Sequence, residues 1–539
     1  MTIASLRVAL LVVVVGAVGC TLELPEAPPA ESLRLCESAA DCVDGQVCEV
    51  GFCVVETAER ELVAVQLTPP NTSAYLTEQY PAVELEQGSE LPDLQLLRPV
   101  LMMGTVFERG GDAPNAVAAQ LLLHRVSPSI PGRNLRFQSQ SNRDTGFSLQ
   151  LPQGEYDITV LPEWADLPPH TLRGVPVRVD VHYDIELPAS AEYTRLRGRV
   201  VYTTDDGENK PLAGIRVRAV DAADATVSTT MQTLEDGLFE VLVRDTESRV
   251  DLVLSPVEEV RILPRVVVED VELTGKDVQV GDQSLGHVEP QGRPVFGVVR
   301  GEDGALVPSA RLVFSGVVGN GVVNVTTETD TAGSFDLRLP AGRYNVVLVP
   351  GPDSDYAVTE LSGLDLLAEG DVPDSLSELR LPRKAKVTGL MLNPVGEPIP
   401  AAIVEFRLQF LNSAAAAGTQ NVSARTDADG WFEIRVHPGV YEIEAIPGEG
   451  SGWARGTTAG VEIGREGADI DVIASPGNVA YGQVLGPDAA PLPDVLVEVF
   501  RTGGAAPRLV GTGRTDEGGS YVVLVPAITS TDYETVIPQ

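Results

Sequence analysis

Along most of this chain the apolar residues recur at every second position in short runs, and the runs are broken by Gly, Pro, Asp and Asn. Phe335, Leu337 and Leu339 alternate in this way, as do the apolar positions that follow Pro211 and Pro491. A period of two places one row of side chains on one face of an extended strand. Few stretches carry the helical period, so the pattern predicts an all-β chain of many short strands.

The runs are themselves repeated. A Gly-x-hydrophobic triplet opens at Gly104, Gly198, Gly297, Gly389 and Gly482, with successive spacings of 94, 99, 92 and 93 residues. An aromatic follows 38–43 residues after each opening glycine, at Phe147, Phe239, Phe335, Phe432 and Tyr521, directly behind a turn of Asp and Gly. Asp bonds its local backbone and Gly accepts positive φ, so a hairpin closes there. Three copies add Gly-x-Tyr, at Gly154-Glu155-Tyr156, Gly342-Arg343-Tyr344 and Gly439-Val440-Tyr441. A period above 90 residues is too long for a solenoid or propeller blade, so each copy should carry its own core.

These motifs resemble the carboxypeptidase regulatory-like family, most closely in the third and fourth copies. In the second, Val243-Arg244-Asp245 replaces the Pro-Gly-Tyr corner, and in the fifth Val525-Pro526-Ala527 does so. The resemblance implies a seven-stranded prealbumin-like or immunoglobulin-like sandwich. The expected architecture is therefore a tandem array of about five sandwiches, at residues 100–190, 191–290, 291–383, 384–476 and 477–539. Laid end to end, five such domains would reach on the order of 170 Å.

The count of strands does not balance. A tail such as Val461-Glu462-Ile463 through Ile473 separates successive copies, yet the fifth ends at Gln539 without one, while a similar segment, Ala82 to Leu97, precedes the first. Either the modules begin with their tail strands or the last sandwich is incomplete. The second is the expectation, with residues 54–99 a linker that carries an extra hairpin.

The amino terminus reads as an address. Arg7 precedes the apolar run from Val8, which is too short to span a bilayer as a helix and suits a signal-peptide core. It ends in Ala17-Val18-Gly19-Cys20, which resembles the lipobox of bacterial lipoproteins, with Ala17 where Leu is usual. The resemblance implies cleavage after residue 19, acylation of Cys20 and stable anchoring by two or more chains. Thr21 follows the cysteine with no Asp there, which resembles the pattern of Gram-negative lipoproteins sent onward to the outer membrane. Residues 20–35 are a Pro-, Glu- and Ala-rich tether. Cys36, Cys42, Cys48 and Cys53 then fall within residues 36–53 without paired CxxC knuckles. In an exported chain they suit two disulfides better than zinc, and three connectivities are open. The segment resembles small cysteine-rich motifs of myxobacterial-type exported proteins.

Composition then limits function. A net charge of −38, from 77 acidic and 39 basic residues, repels phosphate backbones and argues against nucleic-acid binding. None of the five histidines has Glu three residues on, so the zinc site of a metallocarboxypeptidase is missing. No nucleophile elbow, P-loop or dinucleotide fingerprint stands at a strand-to-helix junction. Asp427 and Asp429 lack the remaining ligands of a calcium loop. No catalytic residue, metal ligand or cofactor is expected. Trp164, Trp431 and Trp453 remain as possible stacking surfaces for a sugar, against the plainer role of covering module edges. The resulting expectation is a non-enzymatic, lipid-anchored envelope protein acting as spacer and scaffold, with an unknown envelope protein or polysaccharide as partner. A polysaccharide-capturing protein is the alternative, and a subunit supporting a secreted hydrolase is a weaker third.

Overall fold

The computed structural model describes residues 46–49, 52–55, 61–85, 91–110, 115–163, 167–244, 247–258, 262–366, 377–410, 421–448, 451–502 and 506–527. The chain divides into two units, Met1–Thr57 and Ala58–Gln539. In the first, Gln46–Glu49 and Phe52–Val55 form an antiparallel hairpin in which Cys48 lies opposite Cys53.

The second unit holds five β-sandwiches, of which the third shows the plan. Its four-stranded sheet runs Gly321–Glu328, Arg311–Val318, Gly342–Val349, Thr359–Leu366, all antiparallel. The facing sheet runs Ser334–Leu339, Arg293–Gly301, Glu378–Leu381, and its last pair is parallel. The period of two does what the sequence pattern requires. Phe335, Leu337 and Leu339 are buried while Asp336 and Arg338 are exposed between them. Phe314 and Phe335 meet across the core with ring centroids 6.3 Å apart.

The parallel pair recurs in every sandwich, and in the first and fourth it explains the opening glycine. There the tail strand runs alongside the opening strand, and a Cβ on Gly389 would stand 1.9 Å from the Ile470 carbonyl oxygen, one on Gly104 2.1 Å from that of Tyr183. Only glycine admits so close a backbone. The strands of the first four sandwiches lie within Val100–Leu187, Thr194–His287, Arg293–Leu381 and Ala385–Ile473. Buried residues of the second and third merge into one cluster, whereas the first, fourth and fifth keep separate cores.

The fifth sandwich corrects the expected strand count. Residues 54–99 are not a linker with an independent hairpin, and the last sandwich is not left incomplete. Glu61–Thr68 inserts between Glu78–Leu85 and Leu496–Arg501, the place that Gly342–Val349 holds in the third sandwich. Leu94–Gln95 pairs in parallel with Ser475–Leu485, supplying the tail strand. The physical reason is burial: Val63, Val65, Leu67, Val83, Leu85, Leu91, Leu94 and Leu96 fill the core beneath Val495, Val497, Val499 and Val523. The missing Gly-x-Tyr of the fifth copy follows directly, since the next strand comes from the other end of the chain.

A second correction concerns the end-to-end row. Only four residues lie between Gln95 and the first sandwich, which packs on the fifth. Ala64, Ile130 and Phe500 share a small buried cluster, and the Arg133 guanidinium lies 4.2 Å from the Phe500 ring centroid. The first and fifth sandwiches are thus in contact instead of at opposite ends.

Candidate functional site

Of the residues singled out in the sequence, Cys20, Cys36, Cys42 and Trp164 lie outside the described residues. Trp431 begins the strand Trp431–Val436 at the edge of its sheet; alternation turns it outward at 41% exposure while Phe432 beside it is buried at 1%. Trp453 stands elsewhere. It is half-buried against the fourth core and pairs with Pro476 of the fifth sandwich. The structure does not bring Trp431 and Trp453 onto one platform, and the second is largely occupied by the junction it covers.

The Asp-Gly turns are closed by their own backbone. The Asp427 carboxylate accepts the N–H groups of Asp429 and Trp431, both at 2.9 Å. Asp330 accepts those of Ala332 and Ser334 at 2.8 Å, and Asp516 those of Gly518 and Ser520. Gly430, Gly333 and Gly519 take positive φ. Each of these carboxylates thereby has an oxygen committed to the turn. Among the described residues no group of three or more His, Cys, Asp or Glu is placed to hold a metal ion.

The polar chemistry that the structure does concentrate lies at the junctions. Arg125 and Glu78 form an ion pair between the first and fifth sandwiches, with side chains only 1% and 7% exposed. Next to them Gln79 donates to the Arg133 carbonyl at 2.8 Å and accepts the Ile130 N–H at 3.2 Å. A pair removed from water adds little net stability, but removing either partner would leave an uncompensated buried charge. At the junction of the third and fourth sandwiches, the Val358 N–H donates to His437 Nδ1 at 2.9 Å. Burial, helped by nearby Lys384, lowers the His437 pKa to about 4, so the ring is a neutral acceptor at ordinary pH. In the fourth sandwich, Glu444 is buried between Arg407 and Arg455. None of these was evident in the sequence, because each partner lies in a distant segment and a lone Glu, Arg or His carries no local motif.

A surface trough opens on the second sandwich. There Leu234 and Leu238 stand exposed at 62% and 51% beside Met231, over Gly198 and Gly281. Arg197–Glu240 and Arg199–Asp282 ion pairs, both at 2.6 Å, rim it. Its charges are already matched and it holds no nucleophile beside a base, so it is suited to contact and not to reaction.

No family model matches this chain, and no curated protein does. Solved structures do. The chain is similar to the Bacillus anthracis TIE protein, at 13% identity over 70% of this chain and 74% of that one, TM-score 0.16. It is similar to BcpA, the major pilin subunit of Bacillus cereus, at 10% identity over 52% and 99%, TM-score 0.14. Two B repeat units of the collagen binding protein of Staphylococcus aureus match at 12% identity over 70% and 98%, TM-score 0.13. Scores this low transfer no function. The class rests on the sheets themselves: this is a tandem all-β protein of five immunoglobulin-like sandwiches.

Proposed function

We propose that the chain is an exported, lipid-anchored scaffold of a bacterial envelope, without enzymatic activity, that presents its sandwiches to an envelope protein or polysaccharide. The observation that carries this reading is where the amino-terminal tether leads. From Cys20 the chain runs through the cysteine-rich segment into Glu61–Thr68, a strand built into the sandwich that also holds the carboxy-terminal strands. An anchor at Cys20 would therefore pull on a closed sandwich and not on a loose end. The Ala17-Val18-Gly19-Cys20 motif supports acylation, and Thr21 supports the outer membrane as destination. Two disulfides among Cys36, Cys42, Cys48 and Cys53 belong to the same reading, and the hairpin register that sets Cys48 opposite Cys53 favours that pair. The membership suggested by the repeated motifs, the carboxypeptidase regulatory-like family, fits the same non-catalytic role. Labelled fatty acid incorporated by the wild type and lost in Cys20→Ser, together with release of the variant from membranes, is the expected result. A Cys20→Ser protein that is fully processed and still membrane-bound would refute the anchor.

A second reading keeps one observation in its favour. Trp431 offers an exposed aromatic face, and such faces stack on sugars. Glycan binding by the lipid-free chain from residue 21 onward, lost in Trp431→Ala, would establish polysaccharide capture; a folded protein that binds no glycan would leave the scaffold reading with protein partners.

A further inference from the structure

The fifth sandwich is made of two stretches separated by residues 98–474. Its carboxy-terminal part, Ser475–Pro526, supplies four strands, and residues 61–97 supply three. Neither part has a closed core without the other, because the apolar rows of both face the same interior. We propose that residues 61–97 are an exchangeable segment, which in an assembly completes the fifth sandwich of a second copy, so that copies join head to tail through contacts a single chain already makes.

The recognition is specific to the residue. Glu61–Thr68 enters as an interior strand, in register with Leu496–Arg501 from Val63 opposite Arg501 to Thr68 opposite Leu496. A slip of one residue would turn every buried side chain outward. Polar partners add a check: Arg501 donates to both oxygens of Glu61, at 2.6 and 3.2 Å, and Gln66 donates to Glu498 at 2.8 Å. A segment arriving from a second copy meets the same partners, and exchange of an identical element is a low-cost route to assembly.

The joint that must yield can also be named. The segment is tied to its own first sandwich by the buried Glu78–Arg125 pair and by Gln79, and only Leu96 to Pro99 separate Gln95 from Val100. Segment and first sandwich therefore move as one body. The joint left to yield is the junction of the fourth and fifth sandwiches, where the pairing of Trp453–Ala454 with the start of Ser475–Leu485 is only two residues long. Closure within one chain is intramolecular and does not weaken on dilution, so dilute protein stays closed. Copies crowded together on a surface exchange. The net charge of −38 opposes association of any kind, so exchange needs both the crowding and the specific strand register.

The test uses full-length chains. Thr68→Cys is placed in one tagged chain and Leu496→Cys in a chain with a second tag, and the two are produced together under oxidising conditions. A disulfide-linked heterodimer on a non-reducing gel is expected, above the background given by each variant with wild type, and rising with protein concentration. The double variant in one chain, which should close on itself when dilute, checks the register. The proposal is overturned if the double variant closes within one chain at every concentration while the paired single variants give only background. It is equally overturned if the double variant links in neither way. Because lipid plays no part in the readout, failure here is independent of the anchoring at Cys20.

Discussion

Thr233, Thr329, Thr426 and Thr515 hold one repeated position, buried just before or at the Asp-Gly turn. Each hydroxyl donates to a carbonyl of the loop behind the opening strand, those of Leu212, Val307, Ile399 and Leu492, at 2.6–2.9 Å. Each also accepts an N–H, from Ile215, Ala310, Ala402 and Val495. Ser141 occupies the place in the first sandwich, buried and without a hydrogen-bond partner. Thr426→Val keeps the shape but strands one donor and one acceptor, so a loss of about 2 kcal/mol is expected by denaturant unfolding. Thr426→Ser should retain most of it, and equal stability of the Val variant would dismiss the latch. The adjoining turn was legible from Asp and Gly because their chemistry is local. The threonine was not, since its partners lie about 20 residues away and Thr is common in strands anyway. His437 gives a second residue-scale expectation. Its folded pKa, about 4, lies below the ordinary value near 6.5, so between them the unfolded chain binds the extra proton. Stability is full above the unfolded value and is lost as pH falls toward the folded one. Between pH 7 and 5 the loss should be about 2 kcal/mol, and His437→Asn, which keeps an acceptor for the Val358 N–H, should remove that part of the slope.

At the scale of elements, the alternation of Ala82 to Leu97 and the missing fifth tail were both visible in the sequence, and together they posed the question that the structure answers. The answer was not legible because strand pairing carries no local mark. Val65 faces Val499 across more than 400 residues, and nothing in either strand names the other. The same holds for the absent Gly-x-Tyr of the fifth copy, which reads as degeneracy until the next strand is seen to come from Glu61–Thr68. Val65 is fully buried in that core. Val65→Asp places an unpaired carboxylate there, with an expected cost of several kcal/mol confined to one sandwich. Limited proteolysis should then open residues 475–527 early while the merged core of the second and third sandwiches stays protected. Unchanged cleavage would mean that the leading segment is not part of the sandwich.

For the whole molecule the excess negative charge matters most, and the direction of its effect on stability can be tested against the opposite. The described surface carries many ion pairs, such as Arg249–Glu272 at 2.6 Å and Arg199–Asp282, with side chains roughly half exposed. Exposed pairs of this kind are worth about 0–1 kcal/mol each and weaken with salt. Against them stand 77 carboxylates and 39 basic groups, so on a one-to-one count 77 − 39 = 38 carboxylates have no cation. Raising ionic strength from 0.01 to 0.1 M shortens the screening length from about 30 to about 10 Å. Screening at that range removes repulsion between sandwiches while leaving the buried Arg125–Glu78 pair almost untouched. The melting temperature should therefore rise with salt, by about 4–8 °C for each kcal/mol of repulsion relieved in a unit of one sandwich. Salt should also raise the share of exchanged copies, since the same repulsion separates two chains. A fall in melting temperature would mean that the surface pairs outweigh the excess charge, and would remove the reason for expecting closed monomers to hold each other off.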